Sequence, residues 1–169
     1  MALPNKLKLM NVFQDGVSYL GQATEVTLPK LAIKAEDYRA GGMIGDVVVD
    51  LGLEKLEAEI KFGGFMDEMK KFFGAAKIDA VPLRFAGSYQ RDDTGEVKAV
   101  EVVMRGRYTE IDGGNSKVGD DTEETYKAAL TYYKLTVAGA ELVEIDLINN
   151  VYKVNGEDRL EQHRKAIGL

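Results

Sequence analysis

The residues able to do chemistry in this 169-residue chain are few and poorly grouped. Its one histidine, His163, falls between Leu160 and Ile167 at helical spacing, with no serine or threonine nearby in sequence to activate as a general base. With no cysteine and one imidazole, neither a zinc site nor a Cys-His dyad has a ligand set. Three groups of acids remain: Asp92, Asp93 and Glu96; Asp120, Asp121, Glu123 and Glu124; and Glu157 with Asp158. None has the alternating oxygen ligands, central glycine and distal glutamate of a calcium loop, and all three read as solvated loop acids. The 18 glycines include no phosphate cradle, because "AGGMIG" leads into further β pattern and not into a helix N-terminus. The sequence therefore points to no catalytic, cofactor or metal site.

Composition narrows the function classes further. A formal charge of -6 and a pI near 5.0 argue against a protein that grips nucleic acid, since that grip comes from lysines and arginines on phosphates. With 45% apolar residues the chain has enough to bury a core without disulfides, and 1–169 is expected to form a single domain. The N-terminal stretch "MALPNKLKLMNVF" is too polar for a secretion signal, which points to synthesis and retention in a cytoplasm.

Period-two alternation punctuated by Gly, Asp and Asn predicts a mainly β protein. Strands are expected over 7–13 and 17–28 around an Asp15-Gly16 turn, over 81–90, and from Val97 to Ile111. Two more run from Tyr126 to Val137 and over Leu142 to Ile145. The 46–62 stretch changes phase near Gly52 to Lys55: Val47, Val49, Leu51 and Leu53 share one face, whereas Leu56, Ala58, Ile60 and Phe62 hold the opposite parity, which predicts a bulge or bend. "FMDEMKKFF" switches to helical spacing, with Phe65, Met66, Met69, Phe72 and Phe73 facing the core, and Gly74 as its stop. A second short helix is expected at the C-terminus, with Asn155 as a possible cap. The sum is a β-sandwich or barrel flanked by one helix, with a helical tail.

Two features ask for a use. "LPKLAIKAEDYRAGGMIGD" begins as a strand and then opens into a glycine-rich loop presenting Arg39 and Met43 around Gly41, Gly42 and Gly45. Lys55, Glu57, Glu59 and Lys61 form a polar stripe on a strand whose other face is apolar, the usual pattern of a sheet face open to water.

The motifs "LPKL" at 28–31, "YRAGGM" at 38–43, "GLEKLEA" at 52–58, "YYKL" at 132–135 and "EIDLINN" through "VNGED" at 144–158 occur in an order that resembles the major tail tube protein of contractile-tailed bacteriophages, R-type pyocins and other tailocins. That resemblance spans nearly the whole chain. It implies a structural protein and not an enzyme, with the fold shared by phage and type VI secretion tubes, closing into hexameric rings that stack into a hollow tube. The implied partners are further copies of itself, the sheath, the tape-measure protein in the lumen and the baseplate or tube-initiator proteins, with DNA in transient, non-specific passage and no membrane anchor. Assembly in the host cytoplasm, then residence in a virion tail or a released tailocin, follows from the same resemblance. On this reading Arg39, Gly41, Gly42, Met43 and Gly45 reach a neighbouring subunit or ring. Lys55, Glu57, Glu59 and Lys61 then line the lumen, where acids discourage sticking of a polyanion, an effect that cross-strand pairing with the two lysines would weaken.

Three other readings compete. A stand-alone β-barrel holding a small apolar ligand predicts an internal apolar cavity and a stable monomer. The secreted tube protein of a type VI system uses the same physics in a different machine. A carboxylate-pair enzyme requires two facing buried acids, a pairing no spacing in the chain supplies.

Overall fold

The fold is described from a computed structural model covering residues 1–169. Twelve strands and two short helices follow in chain order: β1 (Lys6–Gln14), β2 (Val17–Ser18), β3 (Ala23–Thr27), β4 (Ile33–Tyr38), β5 (Val47–Leu53), β6 (Glu57–Phe62), α1 (Asp67–Lys70), β7 (Val81–Gln90), β8 (Val97–Asp112), β9 (Glu124–Val137), β10 (Ala140–Asp146), β11 (Val151–Val154), β12 (Glu157–Asp158) and α2 (Glu161–Ala166). Ten of the strands form one antiparallel sheet ordered β12-β11-β10-β9-β8-β7-β1-β2, with β6 joined to the first half of β9 and β3 joined to β6. β4 and β5 pair only with each other.

The two long strands serve both layers. The N-terminal part of β8 pairs with β7 as far as Gly106, and its remainder continues beside β9 to Asp112. Register shifts at Arg105/Gly106 and Tyr108/Glu110 sharpen the twist there and let the sheet fold over itself. Between the layers lie Val12, Leu83, Phe85, Val102 and Met104 from one side and Ala58, Ile60, Phe62, Tyr126 and Ala128 from the other. Phe62 contacts Tyr19 and Tyr126 edge-on, with centroids 5.9 and 5.3 Å apart, and Tyr108 meets Tyr126 likewise at 5.5 Å. The mainly β fold expected from alternation is present, but the sheet does not close into a barrel.

The predicted strand at 17–28 is two strands, because Gly21 turns the backbone through a positive φ of 81° between β2 and β3. The helix expected over 65–73 is one turn, Asp67–Lys70, followed by bonds from Lys71, Phe72 and Phe73 to carbonyls three residues back. That tighter winding leaves Met66 and Met69 buried and Phe72 partly so, while Phe65 and Phe73 stay exposed. At the C-terminus Asn155 caps no helix. With Gly156 it takes positive φ values of 51° and 79°, making the tight turn from β11 to β12, an Asn-Gly preference that outweighs capping. Helix α2 begins only at Glu161 and buries none of its residues.

Candidate assembly surfaces

The phase change near Gly52 separates two structural roles. C-terminal to it, Leu56, Ala58, Ile60 and Phe62 are buried in the core. N-terminal to it, β5 leaves that sheet altogether and pairs with β4 as a free-standing arm, in which every residue from Ile33 to Tyr38 and from Val47 to Gly52 is exposed. Gly52, at a φ of 115°, makes the exit; its N–H donates to Asp50 Oδ1 at 2.7 Å. The expected bulge is thus a departure from the sheet. Val47, Val49 and Leu51 look out on one face of the arm and Val48 on the other, so both faces carry exposed apolar side chains.

At the arm's tip the structure brings Arg39, Gly41, Gly42, Met43 and Gly45 into one loop, as the sequence suggested. Arg39 Nη2 donates to the Ile44 carbonyl at 3.4 Å and its Nε lies 4.0 Å from Asp46, both weak contacts for a guanidinium. Gly42 needs its lack of a side chain, having a φ of 87°. Beyond them Ile44, which the sequence reading passed over, is fully exposed at 102%.

The polar stripe is also real. Glu57, Glu59 and Lys61 point away from the core along β6, with Lys55 just before the strand. Lys55 bonds Glu57 at 2.7 Å, and Lys61 lies 3.8 Å from both Glu25 of β3 and Glu123. The pairing therefore does partly neutralise the acids. Across the β3-β6-β9-β8 layer the same face carries Glu25, Glu57, Glu59, Glu110 and Asp112 against Lys55, Lys61, Lys127 and Arg107, five acids to four bases and an excess of one negative charge.

This four-stranded layer ends in unpaired backbone on both sides. β3 pairs only with β6, and β8 from Arg107 to Asp112 has β9 on one side and nothing on the other, since β7 stops opposite Gly106. Each is an open strand edge of the kind that accepts a further strand.

Elsewhere the candidate chemistry stays apart. His163 is exposed on α2, and no group of three or more histidine, aspartate or glutamate side chains is placed to hold a metal. Glu124 is the exception among the acids: it is buried, not solvated. Lys70 lies 2.5 and 2.7 Å from its two oxygens, the Tyr126 hydroxyl donates to it at 2.8 Å and the Met66 N–H at 3.1 Å. Burial opposes its ionisation, but the bonds from Lys70, Tyr126 and Met66 outweigh that and hold the carboxyl below its ordinary value of 4.5. Local spacing carries no sign of this cluster, because Met66 and Lys70 lie 58 and 54 residues from Glu124 in the chain and only Tyr126 is near it. It fastens the α1 turn to β9. No helix is long and apolar enough to cross a membrane.

The model of the phage tail tube protein FII family matches residues 4–168. The chain belongs to that family. It is 60% identical to the tail tube protein of Escherichia phage P2 over 172 residues, covering all of both chains, and 46% identical to the major tail tube protein of Serratia phage KSP20, covering 94% and 92%. Among solved structures its fold matches a chain of the sheath-tube complex of an extracellular contractile injection system, PVC, in the extended state, with a TM-score of 0.59 at 10% identity over 79% of this chain and 91% of that one. A chain from the anti-feeding prophage baseplate matches with a TM-score of 0.53 at 7% identity, over 82% and 97%. Membership in the tail tube family makes the role structural, and gives the exposed arm and the open edges a context.

Proposed function

We propose that this chain forms, as one 169-residue unit, the repeating subunit of a tail tube, closing into rings that stack, with no catalytic turnover. The observation that carries the reading is the β4-β5 arm: a lone two-stranded hairpin is marginal in water, and exposed apolar side chains on both its faces serve a chain that will be covered by its neighbours. The open edges supply the lateral joint. In the β3-β6-β9-β8 layer all neighbours are antiparallel, so the outer strands β3 and β8 also run antiparallel. The β3 edge of one copy set beside the β8 edge of the next continues the same pattern. Because the joined edges differ, the contact is heterologous and closes into a ring when its rotation permits. Six copies per ring, a surrounding sheath, a tape-measure protein inside and a baseplate below are what the family resemblance adds, as is residence in a virion tail or tailocin particle after assembly in the host cytoplasm.

Such a ring would turn the β3-β6-β9-β8 face, with Lys55, Glu57, Glu59 and Lys61, toward the lumen. Its surplus of acids repeated around the ring would keep DNA, carrying a charge every ~1.7 Å, from adhering in passage. In a cryo-EM map of assembled tubes this face is expected to border the channel; finding it against the sheath would end the lumen assignment.

The primary test is negative-stain electron microscopy with light scattering over a concentration series of the purified chain and of tail particles. Rings or hollow rods are expected. A strictly monomeric chain that is also absent from tail particles would favour a stand-alone ligand-binding protein. Removing Gly41 to Gly45 should leave a folded chain, since none of these residues belongs to the core, yet abolish tube formation. Normal tubes from the deletion variant would refute the loop's role.

A further inference from the structure

One groove remains without a use. It lies between the base of the arm and the C-terminal helix, encloses about 510 Å³, and is lined by Asp50, Leu53, Asp146, Leu147, Leu160 and His163 among others. Its walls are preformed. Arg164 of α2 donates to the Asn150 carbonyl at 2.9 Å and is ion-paired with Asp158, which pins the helix against the β10-β11 turn. That turn is fixed in its own right: Asp146 accepts the Ile148 and Asn149 N–H groups at 3.1 Å and the Asn149 side chain at 2.7 Å. The groove therefore combines an apolar floor with two carboxylates.

The tip of the arm has the complementary chemistry, a weakly engaged Arg39 beside the fully exposed Ile44 and a half-buried Met43. A chain's own tip cannot enter its own groove, because the strand from Val47 to Leu53 alone spans ~20 Å at ~3.4 Å per residue. Resting on the tube-subunit reading, we infer that this groove is the socket for the arm tip of a second copy, with Arg39 reaching Asp50 or Asp146 and Ile44 seated against Leu147 and Leu160. Since every copy then offers one tip and one socket, the contact is open-ended and propagates in a single direction, as ring stacking requires.

The chain has no cysteine, which allows a direct test. In the double variant Ile44→Cys with Leu147→Cys, mild oxidation of assembled tubes should give a ladder of dimers, trimers and higher species on a non-reducing gel, whereas either single variant should stop at dimers. Tubes of the double variant that give no ladder would overturn the socket. If that variant does not assemble, hydrogen exchange on wild-type tubes decides: residues 146–152 and the first turn of α2 should exchange at least about tenfold more slowly than in the unassembled chain. Protection of 39–46 without protection of 146–152 would overturn the socket while leaving the tube reading standing. Failure of the wild-type chain to form or enter any tube would instead remove the reading on which the socket rests.

Discussion

Substituting alanine at Gly106 is expected to lower the stability of the unassembled chain by about 3 kcal/mol, at the upper end of overpacking effects. A Cβ at this position would lie 2.9 Å from both the Ala129 carbonyl carbon and Leu130 Cα, and closer still to the Ala129 carbonyl oxygen. These are backbone atoms of the paired strand, so no rotamer change relieves the clash. Gly106 also stands at the register shift where β8 passes from β7 to its open edge, and the strain would fall on the joint between the two layers. Thermal unfolding should show a midpoint lower by roughly 10 °C, given about 2–4 °C per kcal/mol for a chain of this size. Gly45→Ala is the control: it has a negative φ and open space around it, and its midpoint should stay within about 2 °C of the wild type, since surface changes fall within ±0.5 kcal/mol. An unchanged midpoint in Gly106→Ala would mean that β8 and β9 do not approach this closely.

What could be read in the sequence were the features set by local spacing. Alternation located the central strands, and the parity change between Leu51 and Leu56 correctly marked a break at Gly52. Spacing alone does not say whether such a break is a bulge within one sheet or an exit from it. The sign that distinguished them was Val48: an apolar residue on the second face of β5 is out of place in a strand with one wet side, and fits an arm covered by neighbours on both. The two helices were overextended for a related reason. Charge distribution and apolar spacing around Met66 and Met69 indicate where a turn begins, but length is decided by what it can bury, and beyond Met69 only Phe72 finds partial cover. At Asn155 a single residue type carried two meanings, and the following Gly156 decided for the turn. The edges of β3 and β8 lay beyond reach, because an open edge is defined by where β7 ends on a strand 25 residues later, a property of the sheet and not of any segment.

The Glu124 cluster shows the same limit and yields the other large effect. Replacing Lys70 by methionine would keep most of the aliphatic stem but remove the cation from a carboxylate whose side chain is 3% exposed, and with it the contact over the Phe65 ring, 3.8 Å from the ammonium. Removing one partner of a buried pair costs ~3–5 kcal/mol; here Lys70 is itself 31% exposed and Tyr126 and Met66 still donate to Glu124, so about 3 kcal/mol is expected. The double variant Lys70→Met with Glu124→Gln should recover part of that loss, since the amide is neutral and still accepts from Tyr126 and Met66. The pH dependence separates an electrostatic from a packing origin. Because the folded carboxyl titrates below its ordinary 4.5, its contribution is complete above that value and is lost as the pH falls through the lower folded value. Wild-type stability should therefore drop through this acidic window, and the drop should be shallower in Lys70→Met, in which the carboxyl has lost the strongest support for its charge. Parallel stability profiles in the two proteins would show that Lys70 acts through its stem alone.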